Sequence, residues 1–231
     1  MIPIRDTVRS QSAPIVTVAL IAINVIVFVH EVALGPYLER FVFAYGLIPR
    51  RFVYWPGDPF DSARFLPLLT SMFWHGGWLH LIGNMLYLWV FGDNVEDRLG
   101  HLRYLIFYLL AGTAAGLTQV ALNPDSMLPT VGASGAIAGV LGAYLVTYPR
   151  SRVLTFVPLF FLPWFLEVPA YVYLGFWFLM QLLMGLGSLG GPDTGGVAVW
   201  AHVGGFVSGV VLIKLMEPRR GRPRTLEVPP W

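Results

Sequence analysis

Six long apolar stretches govern what this chain can fold into, at about 14–34, 70–92, 102–122, 131–148, 169–187 and 197–216. Each approaches the roughly 20 residues that a helix needs to cross a bilayer. Peptide groups in hydrocarbon find no water, so a segment that spans must satisfy its own backbone, as an α-helix does. The expected fold class is therefore all-α: a polytopic membrane protein built as a bundle of six transmembrane helices, with the lipid bilayer as its surroundings. Composition agrees, since 56% of the 231 residues are hydrophobic and only 12% are charged, outside the range of ordinary soluble domains. The basic residues flank the apolar stretches and form no stripe with interleaved aromatics, so no nucleic-acid partner is expected. The chain has no cysteine, which excludes disulfides, thiolate metal sites and a cysteine nucleophile.

Charge sets the expected orientation. With the N-terminus inside, eleven of the 15 Lys and Arg residues fall in inner segments and four (Arg40, Arg50, Arg51, Arg64) in outer ones. The positive-inside rule then places both termini in the cytoplasm of a cell in whose plasma or inner membrane the protein sits. The expected division is a cytoplasmic segment at 1–13, one six-helix domain at 14–216 and a basic cytoplasmic tail at 217–231. The first apolar run reads as a retained helix, not a cleaved signal. Residues 35–66, rich in aromatics and prolines, read as a partly helical hairpin in the outer interface. The stretch 153–168 is apolar but broken by Pro158 and Pro163. It is expected along the inner interface, with a seventh span as the competing topology. Residues 188–196 read as an outer lid, with Asp193 its one acid.

The second apolar stretch holds His80 and Asn84, the fourth opens with Gly132-Ala133-Ser134-Gly135, and the sixth holds His202. All three stretches descend from the same side, so serine and both histidines come to similar depth. His80 and Asn84, four apart, share a helix face, and His75 lies near the rim above them. A serine hydroxyl becomes a nucleophile when a base takes its proton, and histidine suits that task. Ser134 is thus the candidate nucleophile and His202 the candidate base. His80, Asn84 and the backbone N–H of Ser134 are candidate donors to an oxyanion. Gly135 with Gly139, and Gly205 with Gly209, let the fourth and sixth helices approach closely. No carboxylate is placed to orient His202, so a dyad is expected. Two plainer readings stand beside this one: a small-residue run as a packing face, and a buried histidine bonded to a carbonyl. Asp93, Glu96, Asp97 and Arg98 read as a structural network at the inner end, Gln119 as packing, and His30 and His101 as interface residues. His75 and His80 are five apart with no glutamate between them, unlike the zincin helix, so neither a metal nor a cofactor is expected. A transporter lining its path with the same polar residues is disfavoured by the lack of duplicated halves and of intramembrane carboxylates.

These residues resemble the rhomboid intramembrane serine proteases, of bacterial or archaeal type. The resemblance covers about residues 70 to 210 through four motifs in order: His75-xxxx-His80-xxx-Asn84-Met85, Gly92-xxx-Glu96-xxx-Gly100, Gly132-Ala133-Ser134-Gly135, and Ala201-His202-xx-Gly205-xxx-Gly209. It implies a six-helix core with Ser134 as nucleophile, His202 as general base, and His80 and Asn84 as oxyanion donors. Gly132 and Gly135 would shape the site, and His75 would support it. It further implies hydrolysis of single-pass membrane proteins near the membrane boundary, with the fifth helix and the lid as mobile elements. Relatives that lose the serine or histidine bind clients without cleaving them, which gives the alternative function. One departure stands out: many members carry Trp-Arg three residues before the threonine matched by Thr70, where this chain has Leu66-Pro67.

Overall fold

The chain opens with a short strand, β1 (Ile2–Asp6), and the first apolar stretch forms α1 (Ile15–Ala33). The computed structural model describes residues 1–159, 162–188 and 197–218. After α1 the outer-loop region folds into short helices α2 (Leu38–Tyr45), α3 (Pro49–Val53), α4 (Ser62–Phe65) and α5 (Pro67–Thr70). Then come α6 (Trp78–Leu99), α7 (His101–Leu122) and α8 (Ser134–Thr147), strands β2 (Arg152–Leu159) and β3 (Leu162–Pro169), and helices α9 (Ala170–Ser188) and α10 (Val199–Met216). The six apolar stretches thus correspond to α1, α6, α7, α8, α9 and α10. Four of these, α1, α7, α9 and α10, are long and apolar enough to cross a membrane.

The other two differ for local reasons. The second stretch does not become one helix from residue 70. Short turns run to Phe73, and α6 starts only at Trp78 behind Gly77, whose φ of 149° favours glycine. His75 therefore sits in the connection and not on the helix. The far end of α6 carries Asp93, Glu96, Asp97 and Arg98. Helix α8 has 14 residues, about 21 Å at 1.5 Å per residue. Its whole run from Gly135 to Tyr144 is buried, so its neighbours, not lipid, enclose it.

At one end of the bundle, here the sheet end, Glu96 is fully buried beneath the start of α1. Its carboxylate accepts from the N–H groups of Val16 and Thr17 at 2.8 Å each, from the Thr17 hydroxyl at 2.7 Å, and lies 2.6 Å from His101 Nδ1. A negative charge here satisfies orphan amides and complements the helix dipole. Ser12 donates to Asp97 through N–H and hydroxyl, and Arg98 pairs with Glu217. The acidic cluster is structural, as expected, but His101 belongs to it and is more than an interface residue.

Within the stretch 153–168 the described residues form strands, for which hydropathy gave no sign. β2 and β3 make an antiparallel hairpin with Thr155 opposite Leu166, and β1 adds to β2 with Asp6 opposite Val153. Its β-branched and aromatic residues favour the pleated form, and its prolines disfavour a helix interior. The N-terminal segment is thereby part of the fold. Asp6 accepts from Tyr144 and, at 3.0 Å, from Asn94 Nδ2. The expected lid lies, after Ser188, outside the described residues, as do Asp193 and the basic tail beyond Pro218.

At the opposite end, residues 35–66 are fastened by main-chain acceptors. Arg51 donates to the Phe43 carbonyl at 2.6 Å, Arg64 Nε to that of Phe52 at 2.9 Å, and the Thr70 hydroxyl to that of Tyr45 at 2.7 Å. Leu47 and Thr130 exchange backbone hydrogen bonds at 3.0 and 2.8 Å. These contacts anchor the loop where the resemblance expects Trp-Arg. Pro67 is buried at the first position of α5, where its missing N–H costs nothing.

Candidate active site

Helices α8 and α10 meet along glycines. A methyl group on Gly205 would fall on the Gly135 carbonyl oxygen, and one on Gly209 on that of Gly139. The two backbones therefore touch, and the partners advance together along both helices. Ser134 is the first residue of α8, and His202 lies in the first turn of α10. With the backbones this close, His202 Nε2 comes within 2.8 Å of Ser134 Oγ. Gln119, expected as packing, accepts from the Ala201 N–H at 3.2 Å and caps the start of α10.

The other ring nitrogen of His202, Nδ1, lies 2.8 Å from Oε1 of Gln181 on α9. Trp177, one turn earlier on the same face, places its ring 5.7 Å from the imidazole. Gln181 is not among the residues that the sequence motifs single out. The available signal was that it is the single amide in an otherwise apolar helix, since an unpaired amide there is costly.

His80 and Asn84 approach from α6. Gly132 has φ 124°, and a Cβ there would lie 2.7 Å from His80 Nε2 and 3.6 Å from Asn84 Nδ2. A side chain at residue 132 would thus fill the space beside both groups. The Gly132 N–H is held by the Ser71 carbonyl at 2.8 Å, which fixes the approach to α8. The Gly76 N–H donates to His80 Nδ1 at 3.2 Å. In a neutral ring that leaves the proton on Nε2, facing Gly132 as a donor. Among the described residues, Asn84 Nδ2 is buried with no hydrogen-bond partner, a costly state for a donor unless a ligand supplies the acceptor. The N–H of Ser134, at the helix start, has no intrahelical acceptor.

His75 does not reach the serine. Its ring packs 5.2 Å from that of His80, and its backbone N–H donates to the Glu31 carboxylate at 3.0 and 3.2 Å. Glu31 corrects the expectation that the apolar stretches hold no carboxylate: it lies within the first of them and is 1% exposed. It ties α1 to the connection before His80. Among the described residues no three His, Cys, Asp or Glu side chains gather as metal ligands would.

The arrangement pairs a hydroxyl with an imidazole and brings His80 and Asn84 beside Gly132, two residues before the serine; acyl transfer uses such a pair and such donors. Comparison with known proteins gives the family. A model of the rhomboid domain matches residues 62–219. The chain is similar to "RHOMBOID-like protein 6, mitochondrial" of Arabidopsis thaliana, 31% identical over 156 residues, or 67% of this chain and 45% of that protein. It is similar also to "Rhomboid protein 1, mitochondrial" of Saccharomyces cerevisiae, 28% identical over 218 residues, 88% of this chain and 55% of that one. A third relative, "Presenilin-associated rhomboid-like protein, mitochondrial" of Homo sapiens, is 31% identical over 110 residues, 46% of this chain and 29% of that one. The chain spans about half the length, or less, of these relatives, none of them bacterial or archaeal. A family model that takes in well over half of the residues leads to one conclusion: this multi-pass membrane protein belongs to the rhomboid family.

Proposed function

We propose that the chain is an intramembrane serine endopeptidase that cleaves single-pass membrane proteins in or near their transmembrane segments. The observation that carries this reading is the 2.8 Å approach of His202 Nε2 to Ser134 Oγ, with the unpartnered Asn84 donor beside Gly132, two residues before that serine. In this mechanism Oγ attacks the scissile carbonyl carbon as Nε2 takes the hydroxyl proton. The carbonyl oxygen becomes an oxyanion, to which His80 Nε2–H, Asn84 Nδ2–H and the Ser134 N–H donate, helped by the positive end of α8. The imidazolium returns its proton to the leaving amine, and water then releases the acyl group by the same route. Gly132 leaves space beside His80 and Asn84, Gly135 lets α8 pack closely on α7 just after the serine, and His75 supports His80. No metal or cofactor enters. A helical substrate must unwind first, because its carbonyls are already bonded within the helix.

The proposed working unit is the whole six-helix region, about 14–216, with the segments at either end on the arginine-rich, cytoplasmic side. Purified protein in liposomes, given tagged single-pass proteins, should release fragments whose ends map near the membrane boundary. Ser134→Ala should abolish release; undiminished cleavage by that variant refutes the assignment. Bound substrate that is never cut, even by the unaltered chain, would establish instead a silent client-binding member of the family.

A further inference from the structure

We propose that Gln181 is a positioning residue for His202, holding the imidazole in the single tautomer able to act as base on Ser134. The inference rests on the catalytic reading above and deepens it. A neutral imidazole carries one proton. Nε2 accepts the serine hydroxyl proton only when its own lone pair is free, which puts the ring proton on Nδ1. That proton needs an acceptor, and Gln181 Oε1 lies 2.8 Å from Nδ1, opposite the 2.8 Å contact of Nε2 with Ser134 Oγ. In the soluble triad this place belongs to an aspartate. Turned the other way, the Gln181 amide would present N–H to Nδ1, drive the ring proton to Nε2 and disable the base.

The surroundings explain an amide in place of an acid. On α9 the neighbouring Leu179, Met180, Leu183 and Met184 are all exposed on the bundle surface, so this turn borders lipid, where an unpaired carboxylate is costly. An amide supplies the acceptor oxygen without a charge. Trp177 and Gly185, one turn to either side of Gln181, also face α10: the Trp177 ring lies 5.7 Å from the His202 ring, and Gly185 packs on Trp200. One face of α9 thus fixes the ring from its edge and from its side. The titratable group sharing the site from α6 is His80, which faces Gly132 and does not occupy the Nδ1 position.

The test uses the full chain in detergent micelles, with thermal unfolding of each variant to normalise for folded protein. The rate of fluorophosphonate labelling at Ser134 is measured for the unaltered chain, Gln181→Leu, Gln181→Glu and Ser134→Ala. Losing one hydrogen bond to the base should slow labelling about tenfold in the leucine variant. The glutamate variant, which keeps an acceptor oxygen, should recover most of that loss at a pH where His202 is neutral. Nitrogen-15 spectra of histidine-labelled protein should show His202 protonated at Nδ1 in the unaltered chain and a mixture of tautomers in Gln181→Leu. A residue that only glues α9 to α10 would leave the tautomer and the normalised rate unchanged. That result, with Ser134→Ala unlabelled, overturns the positioning role and leaves the protease reading standing. An unaltered chain that takes no label at Ser134 overturns both.

Discussion

The carbonyl of Gly135 lies directly against Gly205, with no room for a side chain between them. Ser134 immediately precedes the first of these glycines and His202 stands one turn before the second, so this backbone contact sets the Ser134–His202 distance. Replacing Gly205 by valine should part the two helices. Overpacking of this kind costs about 1–3 kcal/mol of stability, and a displacement of about 1 Å at a reacting pair costs about a hundredfold in rate. Thermal unfolding in detergent and fluorophosphonate labelling, measured together, check both effects. A variant with normal stability and normal labelling would show that the contact is not what holds the pair.

Asn84 separates binding of the fold from binding of the reaction. Its buried Nδ2 has no partner among the described residues, so Asn84→Ala removes no hydrogen bond that the folded chain makes with that atom. Its melting temperature should stay close to that of the unaltered chain, while turnover falls by about a hundredfold, the usual loss of one oxyanion donor. Turnover that stays level while the protein unfolds earlier would make Asn84 a structural residue.

Glu96 should behave in the opposite way. Four hydrogen-bonding groups converge on its buried carboxylate at the start of α1. Glu96→Gln weakens charged hydrogen bonds and turns an N–H2 toward donors, a loss of about 2 kcal/mol or more. The expected result is a lower unfolding temperature, with cleavage per folded molecule unchanged because the site lies at the other end of the bundle.

Asp6 gives stability a dependence on pH. Burial lifts its carboxyl from the ordinary 3.8 to about 6, assisted by the charge of Asp93 and opposed by the hydrogen bond from Tyr144. The folded value lies above the unfolded one. The stabilisation conferred by the protonated form is therefore complete below about pH 3.8 and lost as pH rises through about 6. Asp6→Asn keeps an acceptor oxygen but does not titrate. The melting temperature of the unaltered chain relative to this variant should fall between pH 4 and pH 7, the range that brackets the raised value. A difference that stays flat, or widens with pH, contradicts the assignment.

The helical bundle was legible in the sequence because lipid imposes a length and a polarity on each segment that spans it. Ser134, His202, His80 and Asn84 stood out for the same reason, as polar groups where apolar ones are the rule. Hydropathy could not give what depends on partners distant in the chain. Residues 152–159 and 162–169 are held as strands by pairing with each other and with Ile2–Asp6. A one-dimensional profile shows neither pairing. Glu31 lay in plain view within the first stretch, yet its place against the His75 backbone depends on how α1 meets the connection before α6. The sequence alone determined which polar residues stand within apolar stretches. Only the tertiary structure decided that Gln181 rather than an acid faces His202 Nδ1, because rotation and spacing of packed helices set that contact, and side-chain chemistry sets neither.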